Sequence, residues 1–138
     1  MATLKISDLS VGDWVKASGV AKRVHNIEFQ NGEYFVHFSD PDINSEDYLH
    51  APFIKPIPIT AEILEKNGWK LSKSNWFEFE DGEWKINIWI GKSKCNIEIS
   101  QKREIYMSTY ADIQVVKSNI NTLQHALRFA GVDKEINL

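Results

Sequence analysis

An α+β fold, built of two β-hairpin units with helices set apart from them, is what this sequence predicts, and three observations carry it. Asn31-Gly32 and Asp81-Gly82, both strong hairpin dipeptides, each stand between runs rich in strand-forming residues. Trp84, Ile86, Ile88 and Ile90, then Cys95, Ile97 and Ile99, recur at every second position on either side of a short polar loop. Near the end the period changes: Ile120, Leu123, Leu127 and Ala130, widened by Ala126 and Phe129, follow helical spacing. Strands gathered together, with helices before and after them, make an α+β chain.

The elements follow in chain order. Asp13-Trp14-Val15 comes directly after Gly12, and residues 13–38 read as twisted strands. A two-residue turn at Asn31-Gly32 pairs Phe29 with Tyr34, Ile27 with Val36 and His25 with Phe38 on a mostly apolar face. Glu28 with Phe35, and Asn26 with His37, fall on the other. Asp40 to Asp47 holds four acids, a proline and no base, the composition of a solvated loop. Pro52, Pro56 and Pro58 enforce an extended crossing between a β-rich lobe, residues 1–55, and a second lobe, residues 56–138. At 138 residues the two lobes are read as one domain.

Thr60 caps a short helix over 61–67, and Asn67-Gly68 stops it. Asp81-Gly82 sets a hairpin with Phe79 opposite Trp84, Glu78 opposite Lys85 and Phe77 opposite Ile86. A loop at 91–94 then puts Ile90 across from Cys95, Ile88 from Ile97 and Ile86 from Ile99. Both turns place the isoleucines on one apolar face, which makes a three-stranded antiparallel meander; 105–109 is read as a fourth strand. A C-terminal helix, capped by Ser118 or Asn119 and ended by Gly131, covers that face.

Composition sets limits on function. A net charge of −3 argues against a strongly basic, histone-like binder. Cys95 is the sole cysteine, so no disulfide forms within the chain. The start has no apolar signal-peptide core and no run is long enough to span a membrane, so a cytoplasmic protein is expected. Asp40-x-Asp42-x-Asn44 opens like a calcium loop, but Ser45 stands where glycine belongs and Ala51 where the bidentate glutamate belongs. The four histidines lack zinc spacing, and no nucleophile elbow or phosphate-cradling glycine loop is present. No metal, no cofactor and no catalytic residue is therefore expected, and the chain is read as a non-enzyme.

The residues that suggest binding are aromatic and charged. Trp76 and Trp89 fall on the polar face of the meander; tryptophan is enriched at interface hot spots, although a covering segment would make both structural. Asp40, Asp42, Glu46 and Asp47 concentrate negative charge that would steer a basic partner. Lys16, Lys22 and Arg23, and separately Lys92, Lys94, Lys102 and Arg103, are candidate basic patches, the second group for nucleic-acid contact.

Leu9-Ser-Val-Gly-Asp-Trp-Val15, followed by Gly19-Val-Ala-Lys-Arg-Val24 and a hairpin, is similar to the opening of SH3-like barrels. Pro56-Ile-Pro-Ile-Thr60, the helix stop Asn67-Gly68, and Leu123-Gln-His-Ala-Leu-Arg-Phe-Ala-Gly131 resemble small accessory proteins of Bacteroidota phages and prophages. Those carry an L-x-x-G-x-x-V segment, a P-I-P-L-T helix start and a C-terminal helix with L-Q-N; here His125 replaces the asparagine, and the acidic loop is a departure. The resemblance spans most of the chain on short structural motifs and brings no catalytic residues. It implies a phage accessory protein in the bacterial host cytoplasm, partnered by a host protein or ribonucleoprotein. The function it implies is inhibition of a host defence nucleoprotein, as anti-CRISPR proteins do. A nucleic-acid-binding SH3-like module is the alternative.

Overall fold

A computed structural model describes residues 4–40, 42–43, 46–92, 94–101, 110–115 and 119–138. The chain is mixed α+β and divides into two compact units, Met1–Ile57 with Asn119–Asn121, and Pro58–Ser118 with Thr122–Leu138. The division falls inside the proline-rich segment, where two fixed φ angles keep the chain extended.

In unit 1, β1 (Trp14–Ala17) and β2 (Val20–Arg23) form a two-stranded sheet, and β3 (Asn26–Gln30), β4 (Glu33–His37) and β5 (Tyr48–His50) a three-stranded one, all antiparallel. Ser18-Gly19 and Asn31-Gly32 close their hairpins with positive φ at both central positions, as a type I′ turn requires. The β3–β4 register is the expected one, Phe29 opposite Tyr34 and Ile27 opposite Val36. After a 3₁₀ turn at Ala51–Phe53 the chain returns to β1, where Lys55 pairs with Lys16. Leu4, Leu9, Val15, Ala17, Val24, Val36 and Ile54 make the core. The ladders form two sheets, β1-β2 and β3-β4-β5, and an SH3-like barrel is not confirmed by them.

One expectation fails at the hairpin tip. The apolar face is buried at Val36, but Phe29 and Tyr34 are 60% and 41% exposed, their rings 4.6 Å apart, because the β3–β4 tip runs past the core. On the opposite face His37 is buried and its Nε2 lies 2.9 Å from Glu28 Oε2.

Unit 2 begins with α1 (Ala61–Lys66), whose Thr60 hydroxyl accepts from the Ile63 amide at 3.3 Å. Its end is a Schellman turn: the Gly68 amide bonds to Glu65 and the Trp69 amide to Leu64, which buries the Trp69 and Leu64 side chains. Five antiparallel strands follow: β6 (Lys70–Lys73), β7 (Trp76–Asp81), β8 (Trp84–Ile90), β9 (Cys95–Gln101) and β10 (Tyr110–Val115). They are ordered β10-β9-β8-β7-β6. The β8–β9 register is the expected one. Strand β6 was not anticipated, and the expected strand over 105–109 lies outside the described residues.

The β7–β8 register is a correction. Asp81 pairs with Trp84, Phe79 with Ile86 and Phe77 with Ile88, two residues away from the expected pairing. Gly82 takes φ +58 as the first of two loop residues, which a II′ turn needs, so the loop is Gly82-Glu83 rather than Asp81-Gly82 and each β7 residue meets a partner two places further along β8. A shift of two leaves every side chain on its expected face. Phe77, Ile86, Ile88, Cys95, Ile97 and Ile99 are accordingly buried together. No atom stands near a Cβ at Gly82, so Gly82→Val should cost on the order of 1–3 kcal/mol through backbone strain alone. Urea melts of Gly82→Val and of the neighbouring exposed Glu83→Val check this: only the first should lower the midpoint.

Helix α2 (Ile120–Ala130) packs on this sheet through Leu123, Ala126 and Leu127 and ends in a second Schellman turn at Gly131 and Val132. Phe129, read as part of the buried stripe, is 87% exposed; it lies beyond the width the sheet covers. Asn67 holds the chain end: its side-chain amide donates to the Asn137 carbonyl at 2.7 Å and its carbonyl accepts from the Asn137 amide at 2.7 Å.

Candidate functional site

The polar face of the unit 2 sheet presents Trp76, Glu78 and Glu80 from β7, Lys85, Asn87 and Trp89 from β8, and Asn96, Glu98 and Ser100 from β9. Trp76 stands directly opposite Trp89, a relation that the expected register concealed. The Ile90 amide donates to the Asn75 carbonyl at 3.0 Å, which makes 75–90 a hydrogen-bonded position and the tryptophan pair a non-hydrogen-bonded one. Cα atoms come closest at such positions, so two large aromatic groups rise from one point of the face. Both are half-buried.

Trp89 also walls a shallow groove of about 460 Å³ shared with Ala61, Asn75, Phe77, Gly91 and Lys92. Its ring lies so close to Gly91 that a Cβ there would meet ring atoms at 2.5 and 2.7 Å. Glycine is therefore required for the indole to lie over the loop. Gly91→Ala should push Trp89 off its seat and change its fluorescence, and the β8 amide shifts should move with little loss of stability. Along the face, Lys85 Nζ reaches Glu78 Oε1 at 3.8 Å, while Asn87 Oδ1 and Asn96 Oδ1 are closed to solvent and meet no partner among the described residues. The face thus sets two half-buried indoles among the carboxylates of Glu78, Glu80 and Glu98 and the Lys85 ammonium.

The acidic candidate residues lie elsewhere. Asp40, Asp42, Glu46 and Asp47 belong to unit 1. Asp40 Oδ1 accepts from the Asp42 amide at 3.0 Å, a local turn, and Asp42 and Glu46 are exposed. Asp47 is tied to Lys22, whose Nζ lies 2.7 Å from Oδ1, so neither brings a lone charge to steering. The Lys22 hydrogen bond holds the Asp47 carboxyl below its usual range; partial burial opposes this, and the Lys22 charge and a bond from Ser39 add to the lowering. A depressed native pKa gives stability that is present above the unfolded value of about 3.9 and is lost as pH falls through the native one. Lys22→Met should raise the Asp47 pKa in a carboxyl NMR titration and remove that acid-side contribution.

Lys92 and Lys94 are exposed in the β8–β9 loop, and Lys102 and Arg103 lie outside the described residues. Cys95 is buried on the apolar face. Among the described residues no three His, Cys, Asp or Glu side chains are grouped to hold a metal, and no helix is long and apolar enough to cross a membrane.

Sequence reasoning passed over a row of rings on the outer face of β4 and β5. Phe35 stacks on His50 at 5.2 Å and meets Tyr48 edge-on at 5.7 Å, and His50 lies 6.0 Å from Phe53. The signal was there in the alternation Glu33-x-Phe35-x-His37 and Tyr48-x-His50, but β5 could not be placed beside β4 across the acidic loop.

Comparison with known protein families, with curated proteins and with solved structures finds no match to this chain.

Proposed function

We propose that this protein is a non-catalytic binding protein that docks a partner protein on the Trp76–Trp89 face of its five-stranded sheet. The observation that carries the reading is the placement of two half-buried tryptophans directly opposite one another on a polar face, one of them walling a groove. Paired aromatic anchors beside a rim of Glu78, Glu98 and Lys85 have the make-up of an interface hot spot and its surround. Together with the resemblance to phage accessory proteins, this favours an inhibitor of a host defence nucleoprotein. Affinity capture from host lysate with and without nuclease tests it: a partner protein should be retained under both treatments.

The second reading, direct nucleic-acid binding, is favoured by Lys92 at the groove and Lys94 beside it. The carboxylates of Glu78, Glu80 and Glu98 on the same face oppose it. Salt separates the two, because phosphate contacts weaken steeply as salt rises and apolar docking does not.

A further inference from the structure

Unit 1 carries a hollow of its own, of about 350 Å³, formed by Leu49, Pro52 and Phe53 and rimmed by Lys16, Lys55 and the β1–β2 turn. Lys16 and Lys55 are direct backbone partners, exchanging amide bonds of 2.8 and 3.0 Å. Residues paired in this way project their side chains to the same side, and like charges there repel. Elsewhere in the unit such cost is relieved: Lys22 is bonded to Asp47, and Arg23 lies 5.0 Å from the Trp14 ring. Neither ammonium of the Lys16–Lys55 pair meets a partner among the described residues. An anion held between them would supply the missing charge. Beside it Phe53 is 63% exposed, a flat apolar surface with Pro52 and Leu49 adjoining.

Two cations against one aromatic wall call for a ligand with an anionic end and a flat ring. We propose that this hollow binds a nucleoside phosphate, its phosphate between Lys16 and Lys55 and its base against Phe53. The volume falls in the range of small-ligand sites, about 300–1,000 Å³. A nucleic-acid strand is disfavoured by charge, since residues 1–57 hold eight carboxylates against five Lys and Arg. A polyanion running past the hollow would meet that excess, whereas a single nucleotide would not.

The experiment titrates the intact ¹⁵N-labelled protein with AMP and GMP, and in parallel with inorganic phosphate, adenosine and a single-stranded oligonucleotide. A nucleotide should shift amides at Lys16, Phe53 and Lys55 and bind more tightly than phosphate or adenosine alone. Lys16→Ala with Lys55→Ala should weaken it by at least about tenfold, as should Phe53→Ala. Lys66→Ala, in unit 2, should leave it unchanged; all of these side chains are exposed, so the fold should persist. No nucleotide response at about 10 mM would overturn the proposal. So would phosphate binding as well as the nucleotides, which would mean an anion site without base recognition, or tighter oligonucleotide binding with shifts spreading beyond the hollow.

Discussion

Trp69→Ala should destabilise unit 2 by about 3–5 kcal/mol, the largest loss expected from any single change described above. Trp69 is 1% exposed, and three kinds of interaction meet on it. Its backbone amide closes the α1 turn on Leu64, and its ring lies 4.9 Å from Phe79. Its Nε1 donates to the Ile86 carbonyl at 3.2 Å, tying the segment after α1 to β8. Lys134 from the C-terminal segment lies over the same rings, 5.6 Å from Trp69 and 4.4 Å from Phe79. Truncation empties a large volume and also leaves a carbonyl without its indole donor. Trp69→Phe separates the two: it keeps most of the ring and loses the bond, so it should cost less, about 1–3 kcal/mol. Urea unfolding followed by far-UV circular dichroism reads both. Equal stability of parent and alanine variant would mean that Trp69 is not the link between α1 and the sheet.

Ile88→Ala should cost about 2–5 kcal/mol. Ile88 is fully buried at the middle of β8, opposite Phe77 on one side and Ile97 on the other, with strands flanking it that leave little room to collapse. Its neighbour Asn87 faces the other way, and Asn87→Ala should be far milder. The contrast between adjacent residues is the test of the face assignment, because a one-residue slip would reverse it. An Ile88→Ala variant that melts with the parent would show that the apolar face is not the core.

What the sequence made legible was local. Asn31-Gly32 fixes a two-residue turn and with it the β3–β4 pairing, and the isoleucine alternation around 91–94 fixes β8–β9. The α1 ends at Thr60 and Asn67-Gly68 were equally readable, since caps are set by single residues. The β7–β8 register differs from the expected one because an Asp-Gly pair fits a two-residue loop whether the glycine stands second or first in it, and only the backbone shows that Gly82 opens the loop. Strand β6 was hidden because all four of its residues, Lys70 to Lys73, are exposed at a sheet edge and show no buried alternation. The site was harder still. Lys22 bonded to Asp47 and Lys16 opposite Lys55 are pairings between separate segments of the chain, of which spacing carries no trace, whereas Trp76 facing Trp89 follows from the β7–β8 turn and was hidden only by its register.

The central claim is that the Trp76–Trp89 pair anchors a partner through apolar contact. Its most direct test is the dissociation rate of the captured partner from the parent protein and from Trp76→Ala and Trp89→Ala, measured at low and at high salt. Both residues are only half-buried, so each variant should keep the parental circular dichroism spectrum. The account predicts that each substitution speeds dissociation by about tenfold or more, leaves association nearly unchanged, and does so at both salt concentrations. Folded variants that release the partner at the parental rate would contradict it.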